Sequence, residues 1–191
     1  GRVGGAGVRK LRRFYTSDEI AGIYGNGYDH TRWPEHVERV KRTIAIANVL
    51  IVQEQLTTAV DLSAGDGAII RGLTGLTGTR TSDGNIEAEI RHMRDGEVDL
   101  FICTETIEHL EAPWTVLERV AEKARWLVLS CPLDEDPKIG NYEHYWSFDS
   151  VDVDDMLACA GFDSRRMYLL TDDSWTYDYQ LWTARSTVCS T

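Results

Sequence analysis

The 191-residue chain is predicted to be an α/β protein with a mostly parallel sheet, helices on both faces, about six strands and a C-terminal antiparallel strand pair. Three observations carry that expectation. The runs AVDL (59–62), VDLFICT (98–104) and RWLVLSCP (125–132) are continuously apolar or nearly so, the pattern of strands buried on both faces. Segments with apolar residues at helical spacing lie between and around them. SRRMYLL and YQLWTAR, joined by the polar TDDSWTYD, read as a closing antiparallel pair.

The elements follow in chain order. Residues 1–13 are Gly-rich, basic and without periodicity, and read as a flexible arm; residues 14–191 are expected to form a single domain. A loop rich in Gly and aromatics, IAGIYGNGYDHTRWP, ends at Pro34. HVERVKRTIAIANVLIVQEQL is a helix by the recurrence of Val37, Val40, Ile44, Ala47 and Ile51, with Pro34 near its start. After AVDL, the turn SAGDG leads into a helix over AIIRGLTGL that Gly75 helps to end. TGTRTSD suits a short strand. NIEAEIRHM fits a helix started by Asn85, with Ile86, Ile90 and Met93 on one face, although IEAEI also alternates as a strand does.

TETIEHLEAP (104–113) is expected to be a short helix, which would set Glu105, Glu108 and His109 at i, i+3 and i+4 on one face. Pro113 suits the first position of the next helix, whose apolar face is Val116, Leu117, Val120, Ala121 and Ala124. PLDEDPKIGNYEHYW is a long loop. SFDSVDVDDMLACAGF is a helix with Ser150 as its cap, acids in its first turns and Gly161 as its stop.

Composition narrows the function. A net charge of −11 argues against broad nucleic-acid binding, because neutralising phosphates takes Lys and Arg. The exception is the arm, where Arg2, Arg9, Lys10, Arg12 and Arg13 stand without an acid, as a solvated tail or a contact for an anionic substrate. No apolar run approaches the ~20 residues of a membrane span, and the start has no secretory h-region. The four cysteines are scattered, and Cys103 and Cys131 fall in apolar strands, so buried thiols in a reducing, cytoplasmic setting are expected.

In such sheets ligands bind outside the carboxyl ends of the strands. AVDLSAGDGAII places a glycine turn there, ahead of a helix N-terminus. A dinucleotide fits poorly: the third glycine of GxGxxG is missing, and Asp66 inside the turn would repel a pyrophosphate. Asp61 and Asp66 suit a ligand carrying positive charge, such as an ammonium or sulfonium.

At these residues the chain resembles the class I S-adenosylmethionine-dependent methyltransferases, whose fold is Rossmann-like. The resemblance rests on VDLSAGDG (60–67), VDLFICTETIEHLEAPWTVLERV (98–120), and WLVLSCP followed by SFD…LACAGF (126–132, 147–162), in that order and spacing. It implies that Asp61, Ser63, Gly65, Asp66 and Gly67 hold the methionine end of the cofactor, with Ser63 where the family usually has the first glycine. It implies that Asp83 accepts the ribose hydroxyls, with Glu89 as its substitute if IEAEI is a strand, and that Thr104 and Glu105 border the cofactor. Between Asp83 and Asp99 the chain is too short for the family's strand–helix–strand crossover, so one element must be missing.

The same resemblance bears on Glu105, Glu108 and His109. In many of these enzymes the Glu-His pair caps the helix or orients loops near the substrate. In the small-RNA 3′-terminal 2′-O-methyltransferases a Glu-x-x-Glu-His run with a later His binds a divalent ion, and Glu105, Glu108, His109 and His144 match that set. Two carboxylates and two imidazoles suit Mg²⁺ or Mn²⁺. Glu108, His109 and His144 are thus the candidate catalytic residues. Tyr15, Tyr28 and Trp33 belong to a region that often lids the site in this family, while Tyr145 and Trp146 could line its substrate side. The implied activity is methyl transfer from S-adenosylmethionine to oxygen on a small molecule or a polymer end. Two alternatives stand beside it: metal-assisted 2′-O-methylation of a ribose or sugar, and a cofactor-binding scaffold without turnover, which Ser63 and the abbreviated middle motivate.

Overall fold

The computed structural model describes residues 8–24, 27–139 and 141–189. In chain order the elements are β1 (Arg9–Lys10), α1 (Ser17–Tyr24), α2 (Pro34–Glu54), β2 (Thr58–Asp61), α3 (Ala68–Gly72), β3 (Gly78–Thr81), α4 (Ile86–Ile90), β4 (Val98–Thr104), α5 (Pro113–Lys123), β5 (Ala124–Pro132), β6 (Trp146–Ser147), α6 (Ser150–Cys159), β7 (Phe162–Leu170) and β8 (Tyr179–Ser186). Single 3₁₀ turns cover His30–Arg32 and Ile107–His109.

The main sheet runs β3-β2-β4-β5-β8-β7. Its first four strands are parallel; β8 is antiparallel to both β5 and β7. All four parallel strands therefore end at one rim, at Asp61, Thr81, Thr104 and Pro132. The apolar runs fill two cores. Phe101, Leu127 and Leu129 pack against α4, α5 and α6 through Ile90, Leu117 and Leu157; Leu100, Ile102 and Val128 pack against α2 and α3 through Leu50, Ile51 and Ile70. Alternate residues of β4 thus enter opposite cores, so the strand carries no polar face. Among the described residues no helix is long and apolar enough to cross a membrane.

Pro34 opens α2, and α5 starts at Pro113. IEAEI is helical, with the Asn85 side chain accepting from Ala88 N–H. The element missing between Asp83 and Asp99 is therefore a strand, and β3 pairs only with β2 among the described residues. The expected loop over 20–34 begins inside α1 and carries the 3₁₀ turn His30–Arg32, and four further expectations are corrected. First, α3 stops at Gly72 rather than near Gly75, because Asn48 of α2 donates to Gly72 O (3.1 Å) and accepts from Thr74 N–H (2.8 Å), drawing the chain off the helix. Second, α6 is capped by Asp149, not Ser150: the Asp149 side chain takes the N–H groups of Val151 and Asp152 while Asp152 returns a bond to Asp149 N–H. Third, the arm is anchored from Val8 onward. Arg9 and Lys10 pair antiparallel with Ser147 and Trp146, and Phe14 packs edge-on to Tyr145 at 5.1 Å. Arg2 and its neighbours through residue 7 lie outside the described residues. The fourth concerns 104–113 and is taken up with the site.

Candidate functional site

The turn after β2 is held by its own polar groups. Gly65 and Gly67 have φ of +53° and +73°, where a side chain is strained. Asp61 turns back into the bend, its Oδ1 accepting from Ser63 N–H (3.0 Å). Burial pushes the Asp61 carboxyl up to about 7, against the pull of Ser63 and with a small addition from Asp83. Asp83 itself is exposed, two residues past β3. Glu89, on helical α4, turns back to accept from Ser82 Oγ. Thr106 Oγ1 bridges the turn to the tip of β4, donating to Ser63 Oγ (2.8 Å) or to Thr104 O (3.0 Å).

A lid lies over this turn. Asp66 Oδ2 accepts from His30 N–H (2.9 Å) and meets His30 Nδ1 at 2.5 Å, while Oδ1 accepts from Ala68 N–H. The Tyr28 ring rests on Gly65, where a Cβ would come within 2.6 Å of Tyr28 Cδ1. Trp33 and His36 stack behind Tyr28. Tyr28 Oη meets His36 Nδ1 (2.9 Å) and accepts from Arg39 Nη2 (3.2 Å). Burial, with help from the Arg39 charge, lowers His36 to about 4, so its ring is neutral near pH 7.

Arg39 leads inward from the lid to the tip of β4. It is 3 % exposed, and its Nε and Nη1 have no hydrogen-bond partner among the described residues. Its guanidinium lies over the Tyr179 ring at 5.6 Å. Burial opposes its charge, but the field of Glu105, Tyr28, Tyr179 and Glu108 outweighs that and raises its pKa. Glu105 adopts φ +51°, its N–H donating to Ser130 O (2.9 Å) and its Oε1 accepting from Ser130 Oγ (2.8 Å).

That left-handed residue corrects the expectation for 104–113. Helix geometry does not extend through Glu105, and only Ile107–His109 forms a 3₁₀ turn, so the three side chains do not share a helical face. Glu108, His109 and His144 do come together, with one ligand atom from each inside a mutual 4.8 Å; Glu105 is not in that group. Glu108 is fully buried and neither carboxylate oxygen has a hydrogen-bond partner among the described residues. Burial and the nearby Glu105 raise its pKa well above the carboxylate range. His109 Nδ1 lies 3.1 Å from Glu143 O, so it donates there and the lone pair falls on Nε2, which is 3.9 Å from Glu108 Oε1. Burial, reinforced by His144, drives His109 down to about 3 and keeps it neutral. His144 pairs through Nδ1 with buried Glu135, and Asn141 Nδ2 donates to its Nε2 (3.1 Å).

Sequence reasoning missed Arg39, Glu135, Asn141 and Tyr179. Arg39 had a signal: it stands four residues before Thr43 and eight before Ala47, a cation inside the stripe α2 buries. Glu135 had none, since it sits between Asp134 and Asp136 in an acidic run. Tyr145 and Trp146, expected on the substrate side, are used for packing: Trp146 Nε1 donates to Leu110 O (2.7 Å), and both rings meet Phe14. A second group of possible metal-ligating residues, Asp29, His30 and Asp66, belongs to the lid.

By sequence, no family model matches this chain and no curated protein matches it. Solved structures do match its fold. A 1,6-didemethyltoxoflavin-N1-methyltransferase from Burkholderia thailandensis superposes with TM-score 0.67 at 13 % identity, over 98 % of each chain. The N-methyltransferase NodS from Bradyrhizobium japonicum gives 0.62 at 14 %, over 81 % of this chain and 88 % of its own. The magnesium protoporphyrin IX methyltransferase of Synechocystis gives 0.59 at 17 %, over 88 % and 93 %. Each of the three was solved with S-adenosylhomocysteine bound. The architecture is thus the Rossmann-like fold of class I S-adenosylmethionine-dependent methyltransferases.

Proposed function

We propose that the chain is an S-adenosylmethionine-dependent methyltransferase that methylates a hydroxyl oxygen of a small molecule or polymer end. The observation that carries the reading is Arg39: a buried cation with two unpartnered N–H groups, one tyrosine ring away from a left-handed glycine turn at the carboxyl end of β2. A donor that brings a carboxylate to Arg39 and runs its chain over Gly65 supplies what both lack. Asp61 and Asp66 shape the turn through their bonds to Ser63 N–H and Ala68 N–H. Asp83, two residues past β3, would accept the ribose hydroxyls, and Thr104 and Glu105, at the end of β4, would border the donor. In this conformation the Tyr28 ring must swing off Gly65 to admit the methionine end.

Methyl transfer is an in-line displacement at a carbon on cationic sulfur, so the protein chiefly aligns two reactants. The acceptor hydroxyl also loses a proton. His109 takes it, the resulting imidazolium held by the Nδ1 bond to Glu143 O, and Glu108 beside it holds the acceptor. The test is label transfer from methyl-labelled S-adenosylmethionine to a panel of hydroxylated acceptors, with binding of donor and demethylated product measured separately. Failure to bind either overturns the reading; tight binding of both without turnover on any acceptor favours the scaffold.

A second reading adds a divalent ion. It is favoured by the two unpartnered oxygens of Glu108 and by the convergence of Glu108, His109 and His144. Three of the four expected ligands converge; Glu105 is occupied by Ser130, and His144 would have to release Asn141 from its Nε2 to ligate an ion. Bound there, Mg²⁺ or Mn²⁺ would lower the pKa of a coordinated hydroxyl. Unchanged label transfer in EDTA eliminates this reading and leaves the first intact.

A further inference from the structure

Three residues of the 134–147 loop, Glu135, His144 and Asn141, form a side-chain relay. Asn141 donates to His144 Nε2, which places the imidazole proton on Nδ1, where it bonds Glu135. Glu135 and His144 are 1 % and 4 % exposed, so this is a built interior feature. The backbone carbonyl of every member of the relay is bound by an arginine of the N-terminal segment. Arg9 Nη2 donates to Glu135 O (2.6 Å). Arg12 Nε donates to His144 O (2.8 Å), and Arg12 Nη2 donates to Asn141 O.

The relay is docked onto the reacting groups. Tyr145 N–H donates to Glu108 O (2.7 Å), His109 Nδ1 bonds Glu143 O, and the His109 and His144 rings meet edge-on at 4.8 Å. A ladder two residues long, β1 with β6, is too short to fix this loop alone. Tyr15 adds two bonds, from its Oη to Tyr142 O (2.6 Å) and from its N–H to Tyr145 Oη (3.2 Å). A solvated tail would show none of this convergence on three relay carbonyls.

We propose that Arg9 and Arg12 are positioning residues: the strap at residues 8–15 holds the Glu135–His144–Asn141 relay, and through it sets His109 and Glu108 toward the methyl acceptor. Arg12 is the principal staple, because its forked guanidinium reaches two carbonyls at once; a lysine in its place is a single point donor. The donor side, built on Gly65 and Arg39, lies outside the strap's contacts. This inference rests on the methyltransferase reading for its effect on turnover, but not for its effect on His144.

The test uses the full chain labelled with ¹⁵N-histidine. A buried imidazole N–H bonded to a carboxylate gives a proton resonance downfield of the amides; loss of one such signal in His144→Gln assigns it. Arg12→Met and Arg12→Lys are then compared with the parent chain. The expected result is a broadened or lost His144 signal, unchanged affinity for S-adenosylmethionine, and a kcat lower by roughly tenfold to a hundredfold. The KM for the donor stays unchanged. Should Arg12→Met unfold at the measuring temperature, Arg12→Lys, which keeps the charge and one donor, decides. A His144 signal unaltered in both variants overturns the proposal, as does unaltered kcat in an active enzyme. If the parent chain binds donor but transfers no methyl group, the functional reading fails, while the His144 signal still decides whether Arg12 sets the relay.

Discussion

The two halves of the candidate site handle their polar groups in opposite ways. On the glycine-turn side every acid is matched: Asp61 by Ser63, and Asp66 by His30 and Ala68. Further in, Arg39 has two N–H groups and Glu108 two oxygens, all buried, without a partner among the described residues. Each such orphan costs about 1–3 kcal/mol. The matched half is a scaffold that holds its shape by itself. The unmatched half is where a bound ligand would supply the missing partners.

Substitutions that separate the halves sharpen this contrast. The largest expected effect lies beside Glu108. His109→Ala should lower kcat by roughly 10²–10⁴-fold while calorimetric titration shows donor affinity unchanged, because Arg39 and the turn at Gly65 carry donor binding; equal losses in both would contradict that division. Next is Gly65→Ala. Its positive φ and the Tyr28 ring leave no room for a methyl group, so the variant should be about 1–3 kcal/mol less stable in urea and bind donor more weakly. Glu108→Met should act with the opposite sign, raising stability near neutral pH by about 1–3 kcal/mol by removing an orphaned carboxyl. The parent chain carries a matching pH signature. Because Glu108 has its pKa raised on folding, its contribution is fully present below the ordinary carboxylate range. It is lost as pH rises toward the folded value. Melting curves should show that decline, and Glu108→Met should flatten it. The smallest effect lies outside both halves: Asp149→Ala removes the cap of α6 and should cost about 1 kcal/mol, with donor binding untouched.

The sheet was legible because β2, β4 and β5 carry apolar runs broken by few polar residues and α2 repeats its apolar positions at helical spacing. The glycine turn was legible because Gly65 and Gly67 serve a local conformation. What escaped was set by distance. The Arg9–Ser147 pairing spans most of the chain and involves two residues per strand, too few for any periodicity. Glu135 is chosen from three neighbouring acids by a partner nine residues on. Glu105 has helical neighbours in the sequence pattern, yet Ser130, on the adjacent strand, draws both its N–H and its carboxylate.

On the proposed function, Arg39 and the turn at Gly65 together hold a sulfonium donor. Calorimetric titration of S-adenosylhomocysteine into the parent chain and into Arg39→Met tests it most directly. The account predicts one site in the parent chain and at least roughly tenfold weaker binding in the variant, the loss of about one charge-assisted hydrogen bond. Equal affinity in the two proteins, or no binding to the parent chain, would contradict it.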